Sequence, residues 1–218
     1  CLFALSALVV ATALAAPVSP EKTAAYLTKF GYLPKSADGI ASSVDLSSAI
    51  RAFQRRFQLA ETGTVDRSTR ELMSRPRCGV ADVHSTGGRK RRQNRPRWSK
   101  NKVTYRVVNH PPGVSMDEVK QLFRKAFDNW DRFSESLTFE ESEDGNADIH
   151  LKFMHPSEHD RQCEPFNGRK ELAHAFMPEK GVIHFNNLIN WTNPHLLKTT
   201  LIHEVGHALG LDHDTASG

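Results

Sequence analysis

Cysteine is scarce, with three in 218 residues, one of them the first residue. That is too few for a disulfide framework. Long apolar runs are missing as well. Spanning a bilayer takes roughly 20 apolar residues, and the longest stretch here, residues 2–14, falls well short of that, so no membrane span is visible. Blocks of one charge sign are almost absent, and with 39% hydrophobic residues the chain can build packed cores, which excludes global disorder. The net charge of +4 is unevenly divided: residues 1–92 carry 14 Lys and Arg against 7 Asp and Glu, and residues 93–218 carry 15 against 18. The basic excess thus sits in the part expected to be cut away. Nucleic-acid binding, which needs a basic face kept in the working protein, is excluded on that ground.

What the chain does contain points first to export. Leu2 to Leu14 is apolar and ends in small residues before Pro17, the pattern of a secretory signal covering residues 1–16. A first residue of Cys rather than Met makes the sequence read as a fragment lacking its basic leader residues. The chain length suits a small domain followed by one of ordinary size. From Ser19 to Met73 the spacing predicts three short helices. Ser19 and Pro20 start the first and Gly31 stops it; Asp45 caps the second, whose Leu46, Ile50, Phe53 and Phe57 recur at helical spacing until Gly63; Asp66 opens the third. A Ser-, Thr- and Gly-containing segment and then Arg89-Lys90-Arg91-Arg92 describe an exposed linker with a cleavage site for a proprotein convertase after Arg92. The expected division is therefore a signal peptide, 1–16, a helical propeptide, 17–92, and a second domain, 93–218.

The second domain opens with Val103, Tyr105 and Val107 alternating as in a half-buried strand. Ser115 and Glu118 form a capping box for a helix whose apolar face carries Val119 to Phe133. Three more strand-like runs follow, near 149–153, 173–176 and 182–185, before a final helix that begins at Asn193-Pro194 and ends at Gly210. The fold class read from this order is α+β.

That last helix carries the chemistry, in His203-Glu204-Val205-Gly206-His207-Ala208-Leu209-Gly210-Leu211-Asp212-His213. Residues four apart lie on one helix face, so His203 and His207 can share one zinc ion. A glycine in the left-handed conformation at 210 would turn the chain so that His213 supplies a third nitrogen, with the fourth position open to water. Glu204, beside the first ligand, is placed to take a proton from that water and return it to a leaving amine. Asn190-Trp191-Thr192 is a candidate N-glycosylation site. His110, His150, His155 and His195 fit no ligand spacing and read as surface or strand histidines.

The 203–213 segment resembles the metzincin signature, and the chain from about Tyr26 to His213 resembles the matrix metalloproteinases, or matrixins. The resemblance implies a propeptide similar to peptidoglycan-binding modules and a catalytic domain with a twisted mixed sheet packed on two helices, here ending before the methionine turn. It also implies a secreted zinc endopeptidase acting on extracellular matrix or other extracellular proteins and bound by protein inhibitors of metalloproteinases. Pro76-Arg77-Cys78-Gly79-Val80-Ala81-Asp82 resembles the family's cysteine switch. A thiolate from Cys78 would fill the open zinc position and hold the enzyme latent, with Arg77 and Asp82 shaping the loop as an ion pair. Three departures stand out. The family's second, structural zinc maps to His159, His174 and His184, but the expected Asp position is Arg161, leaving Asp160 as the substitute. The family's calcium loop is acidic; here the matching residues are the neutral Asn167 and Asn186, which argues against calcium. Asp214 follows the third histidine as in the adamalysins. Cys163 reads as a small buried residue, since pairing it with Cys78 would disable the switch. Other readings remain open: a truncated, non-catalytic zinc-binding product, an adamalysin-like metallopeptidase, and a cell-wall-directed metallopeptidase with a peptidoglycan-binding module.

Overall fold

The structure, a computed structural model, describes residues 19–34, 43–83, 96–134, 136–158, 163 and 165–213. The apolar stretch 2–14, Arg89 to Arg92, His159, Asp160, Arg161 and Asp214 lie outside the described residues.

Three helices form the first unit: α1 (Pro20–Lys29), α2 (Ser43–Arg56) and α3 (Arg67–Ser74). Ser19 caps α1 by accepting from the Lys22 amide, and Asp66 caps α3 by accepting from the Thr69 amide. Two boundaries differ from expectation. α2 starts at Ser43, which puts Asp45 inside the first turn, where its charge still favours the helix dipole. It ends at Arg56 rather than near Gly63, because Gln58 turns the chain at φ 54°. Leu27, Leu33, Ala49, Ile50, Phe53 and Met73 form the small core of this unit.

The second unit is a five-stranded sheet with strands β1 (Lys102–Val107), β2 (Thr138–Glu141), β3 (Ile149–Met154), β4 (Ala173–Ala175) and β5 (Val182–Asn186), in the order β2-β1-β3-β5-β4. All neighbours are parallel except β4 and β5, which pair antiparallel with His174 opposite His184. The sequence pattern had not indicated β2, a four-residue edge strand whose alternation is only exposed against half-buried. Helices α4 (Met116–Asp131) and α5 (Pro194–Ala208) pack on the sheet and on each other around Phe123, Phe127, Ile149, Leu151, Ile183, Phe185, Leu197 and Leu201. The Ser115–Glu118 capping box is present in both directions. Phe133 departs from the expected apolar face: α4 has already ended, and the ring is 77% exposed. The fold is thus α+β, with a helical unit ahead of a mixed sheet carrying two helices.

Candidate metal centre and its switch segment

Helix α5 is capped by Asn193, which accepts from the amides of His195 and Leu196, and Pro194 occupies its first turn. Its far end is held from outside. The Trp98 indole donates to the Ala208 carbonyl at 2.9 Å, satisfying one of the carbonyls a helix terminus leaves free. Gly210 follows at φ +93°, and a Cβ there would lie 2.1 Å from the Pro96 carbonyl oxygen. Both the backbone conformation and the close approach therefore require glycine. This turn brings His213 back to the helix.

The Nε2 atoms of His203, His207 and His213 sit 3.1 Å from one another. The Cys78 sulfur lies 3.6 Å from His207 Nε2, although the two residues are 129 positions apart. Tetrahedral zinc with Zn–N near 2.05 Å and Zn–S near 2.3 Å would set its ligands about 3.3 Å (N to N) and about 3.6 Å (S to N) apart. The three nitrogen–nitrogen edges and the sulfur–His207 edge lie close to those values, and all four donor atoms fall within 4.8 Å of one another. Their tautomers are also prepared. His207 Nδ1 is 2.7 Å from the Leu211 carbonyl, and His213 Nδ1 is 3.1 Å from an Asp82 carboxylate oxygen. Each acceptor keeps the Nδ1 proton in place and leaves Nε2 with a free lone pair for a cation. Loss of water around its ring, then the neighbouring His207 and His213, push His203 down to about 4, although the residue has one face open to solvent. The imidazole is therefore neutral, the form that ligates metal.

Glu204 is fully buried, and neither carboxylate oxygen has a hydrogen-bond partner among the described residues. Burial pushes its carboxyl up to about 8, with the nearby Cys78 thiol drawing it partly back. An orphaned buried carboxylate is costly unless a cation or a transferable proton accompanies it. Together with the ring geometry, this shows that the donor set fits a zinc ion.

Residues 77–82 are held across this centre by backbone and side-chain contacts. The Arg77 amide donates to the Lys170 carbonyl at 3.1 Å, Leu172 donates to Arg77 at 2.9 Å, and Gly79 donates to Ala173 at 2.8 Å. The segment thus runs parallel alongside residues 170–173, with a β-bridge between Arg77 and Glu171. Arg77 forms an ion pair with Asp82, is stacked over the Phe30 ring at 3.9 Å and contacts the Tyr26 hydroxyl. Burial by itself would raise the Asp82 carboxyl, but hydrogen bonds from His213, Arg77 and the Tyr32 hydroxyl bring it down to about 2. Burial and the Glu204 charge push the Cys78 thiol up.

Sequence reasoning had placed Arg77 beside Asp82 but had not found Tyr32, Phe30 or His213 as further partners. It also missed a second tie: Lys29 of α1 pairs with the buried Glu171 at 2.5 Å, and Glu171 also accepts from the Asn167 amide. No motif marks either residue. Cys163 likewise differs from its reading as an ordinary buried residue. It is partly buried, is not disulfide-bonded to Cys78, and lies with His174 and His184 in a second group of convergent donors. Asn186 turns its amide group to donate to the Gly168 and Glu171 carbonyls, a structural use. His110, His150 and His155 bind neighbouring carbonyl or hydroxyl oxygens at the surface.

Residues 97–218 match the family model for matrixin. The chain belongs to the matrixin family. The helical unit of this matrixin, residues 23–73, matches the model for a peptidoglycan binding domain. The chain is 36% identical over 199 residues to matrix metalloproteinase-19 of Homo sapiens, covering 88% of this chain and 39% of that protein. It is 34% identical to matrix metalloproteinase-16 of Homo sapiens, over 86% and 35% of the two chains. Against interstitial collagenase of Sus scrofa the identity is 35%, over 86% and 41%. This matrixin spans about two fifths of the length of the curated relatives it matches.

Proposed function

We propose that this chain belongs to a secreted zinc metalloendopeptidase that cleaves extracellular proteins, including matrix proteins, and is made latent by Cys78. The observation that carries the proposal is the convergence of three imidazole nitrogens at 3.1 Å with one upstream sulfur at 3.6 Å, above a buried carboxylate. His203, His207 and His213 would hold the zinc, with Cys78 as its fourth ligand in the uncut protein. When bound, zinc supplies Lewis-acid polarisation of the peptide carbonyl and makes a neighbouring water more acidic.

The residues of the chain do the rest. Glu204 in its carboxylate form, buried beside the centre, takes a proton from the attacking water and delivers it to the departing amine, so that water adds across the peptide bond and the carboxylate is regenerated. Val205 and Ala208 on α5 are fully buried in the core, so the helix that carries His203 and His207 stands on a rigid support. A substrate strand can take the backbone partners at 170–173 that Arg77 and Gly79 use in the latent form. Substrate and switch segment then exclude one another.

The division 1–16, 17–92 and 93–218 follows from the same reading, with a proprotein convertase cutting after Arg92 and freeing the centre of Cys78. The helical unit serves latency rather than cell-wall targeting, since Tyr26, Phe30, Tyr32 and Lys29 are all engaged with the switch segment or Glu171. Protein inhibitors of metalloproteinases would compete for the same cleft. Export is consistent with Asn190, which is exposed in an Asx turn and open to glycosylation. No helix among the described residues is long and apolar enough to cross a membrane. A second, structural zinc is read at His174 and His184.

The test is Glu204→Gln in the full-length protein, cut after Arg92. Peptide hydrolysis should fall by roughly 10²–10⁴-fold with the zinc content unchanged. Activity equal to the parent's would overturn the assignment of the base.

A further inference from the structure

Away from the catalytic centre, three donors converge at the β4–β5 end of the sheet. The His174 Nε2 and His184 Nδ1 atoms lie 3.2 Å apart across the antiparallel pair, and the Cys163 sulfur lies 3.3 Å from the same His184 nitrogen. All three ligand atoms fall within 4.8 Å of one another. His184 is 2% exposed, and the Phe166 ring packs on His174 with centroids 4.6 Å apart. His184 is thus buried in the fold, with His174 and Cys163 half-buried beside it. Its edges are close to those tetrahedral zinc sets between ligands, about 3.3 Å for two nitrogens and about 3.6 Å for sulfur and nitrogen. No Asp or Glu among the described residues joins the group.

We propose that Cys163 is a thiolate ligand of the second metal, bound together with His174 and His184. This deepens the reading of a second zinc given above and depends on it. On binding, the sulfur–metal bond forms as the thiol proton leaves to solvent. The consequence is chemical. A thiolate and two imidazoles form a soft set that selects zinc, cobalt or cadmium over calcium and magnesium, which prefer oxygen. It also means that cutting after Arg92 removes only one of the two metal–sulfur bonds of the latent protein.

The full-length chain carrying Cys78→Ser isolates the second site without disturbing Cys163. After exchange of zinc for Co²⁺, this variant should keep a sulfur-to-cobalt charge-transfer absorption in the near ultraviolet, and Cys78→Ser/Cys163→Ser should lose it. Elemental analysis should give two zinc ions per parent chain and one after Cys163→Ala. Absence of the sulfur band in the Cys78→Ser chain, or two zinc ions retained by Cys163→Ala, would overturn the role of Cys163 while leaving the second zinc standing. A single zinc in the parent chain would instead refute the second metal itself. His203 and His207 variants report the catalytic zinc separately.

Discussion

Replacing Asp82 by Ala should unlock the uncut protein, and the structure says by how much. The Asp82 side chain is 2% exposed and accepts from Arg77, from the Tyr32 hydroxyl at 2.8 Å and from His213 Nδ1 at 3.1 Å. Removing one partner of a buried, hydrogen-bonded ion pair costs about 3–5 kcal/mol, because the remaining charge, here Arg77 at 18% side-chain exposure, is left uncompensated. Some of that cost also falls on the unfolded chain and on relaxation of Arg77 toward Tyr26, so about 3 kcal/mol is a fair figure for the docking of the switch segment. At 1.4 kcal/mol per tenfold, the open form becomes roughly a hundredfold more populated. The assay is the rate of Cys78 alkylation in the zinc-loaded, uncut chain, read by peptide mapping so that Cys163 is counted separately. Hydrolysis of a fluorogenic peptide before any cleavage runs alongside. Both should rise by about two orders of magnitude, Arg77→Ala should do nearly the same, and the double variant should be no worse than either single one. A folded Asp82→Ala protein that keeps its zinc and alkylates Cys78 as slowly as the parent would refute the reasoning.

Three further outcomes are expected. Cys78→Ser, measured without cleavage after Arg92, should hydrolyse peptide where the parent does not, since a hydroxyl is a far weaker zinc ligand than a thiolate. Gly210→Ala must hold φ +93° and push back the Pro96 carbonyl, costing at least about 1–2 kcal/mol for the left-handed conformation alone. Its thermal midpoint should drop by several degrees and its zinc should be lost at lower chelator concentration, because this turn aims His213. The helical unit should weaken with acid through Asp66: its carboxyl is held down to about 2, first by the Thr69 amide and then by the Thr69, Thr62 and Ser68 hydroxyls, against an ordinary 3.8. A folded-state value below the unfolded one stabilises above pH about 4 and is lost as the pH falls toward 2. Asp66→Asn, which keeps the cap, should flatten that part of the decline in helical circular dichroism, and a decline as steep as the parent's would count against the cap's role.

What the amino-acid order determined alone is everything governed by neighbours along the chain. Ser19, Asp66, Ser115 and Asn193 cap helices because a cap reaches only two or three residues onward. His203 and His207 share a face because a helix repeats every 3.6 residues, and Gly210 was legible as the turn because only glycine takes that φ cheaply. Tertiary structure decided what those elements meet. Nothing local could show that Asp82 would bond His213, that Lys29 would tie the helical unit to Glu171, or that Cys163 would arrive beside His184 across 21 positions. Sheet order sets the last of these, since β4 and β5 place His174 opposite His184. Edge strand β2 escaped notice for a related reason: a strand with little to bury leaves only a faint alternation, and its pairing with β1 comes from the backbone. Side-chain spacing specifies a helix and its ligands; convergence of distant donors on one point in space is a property of packing.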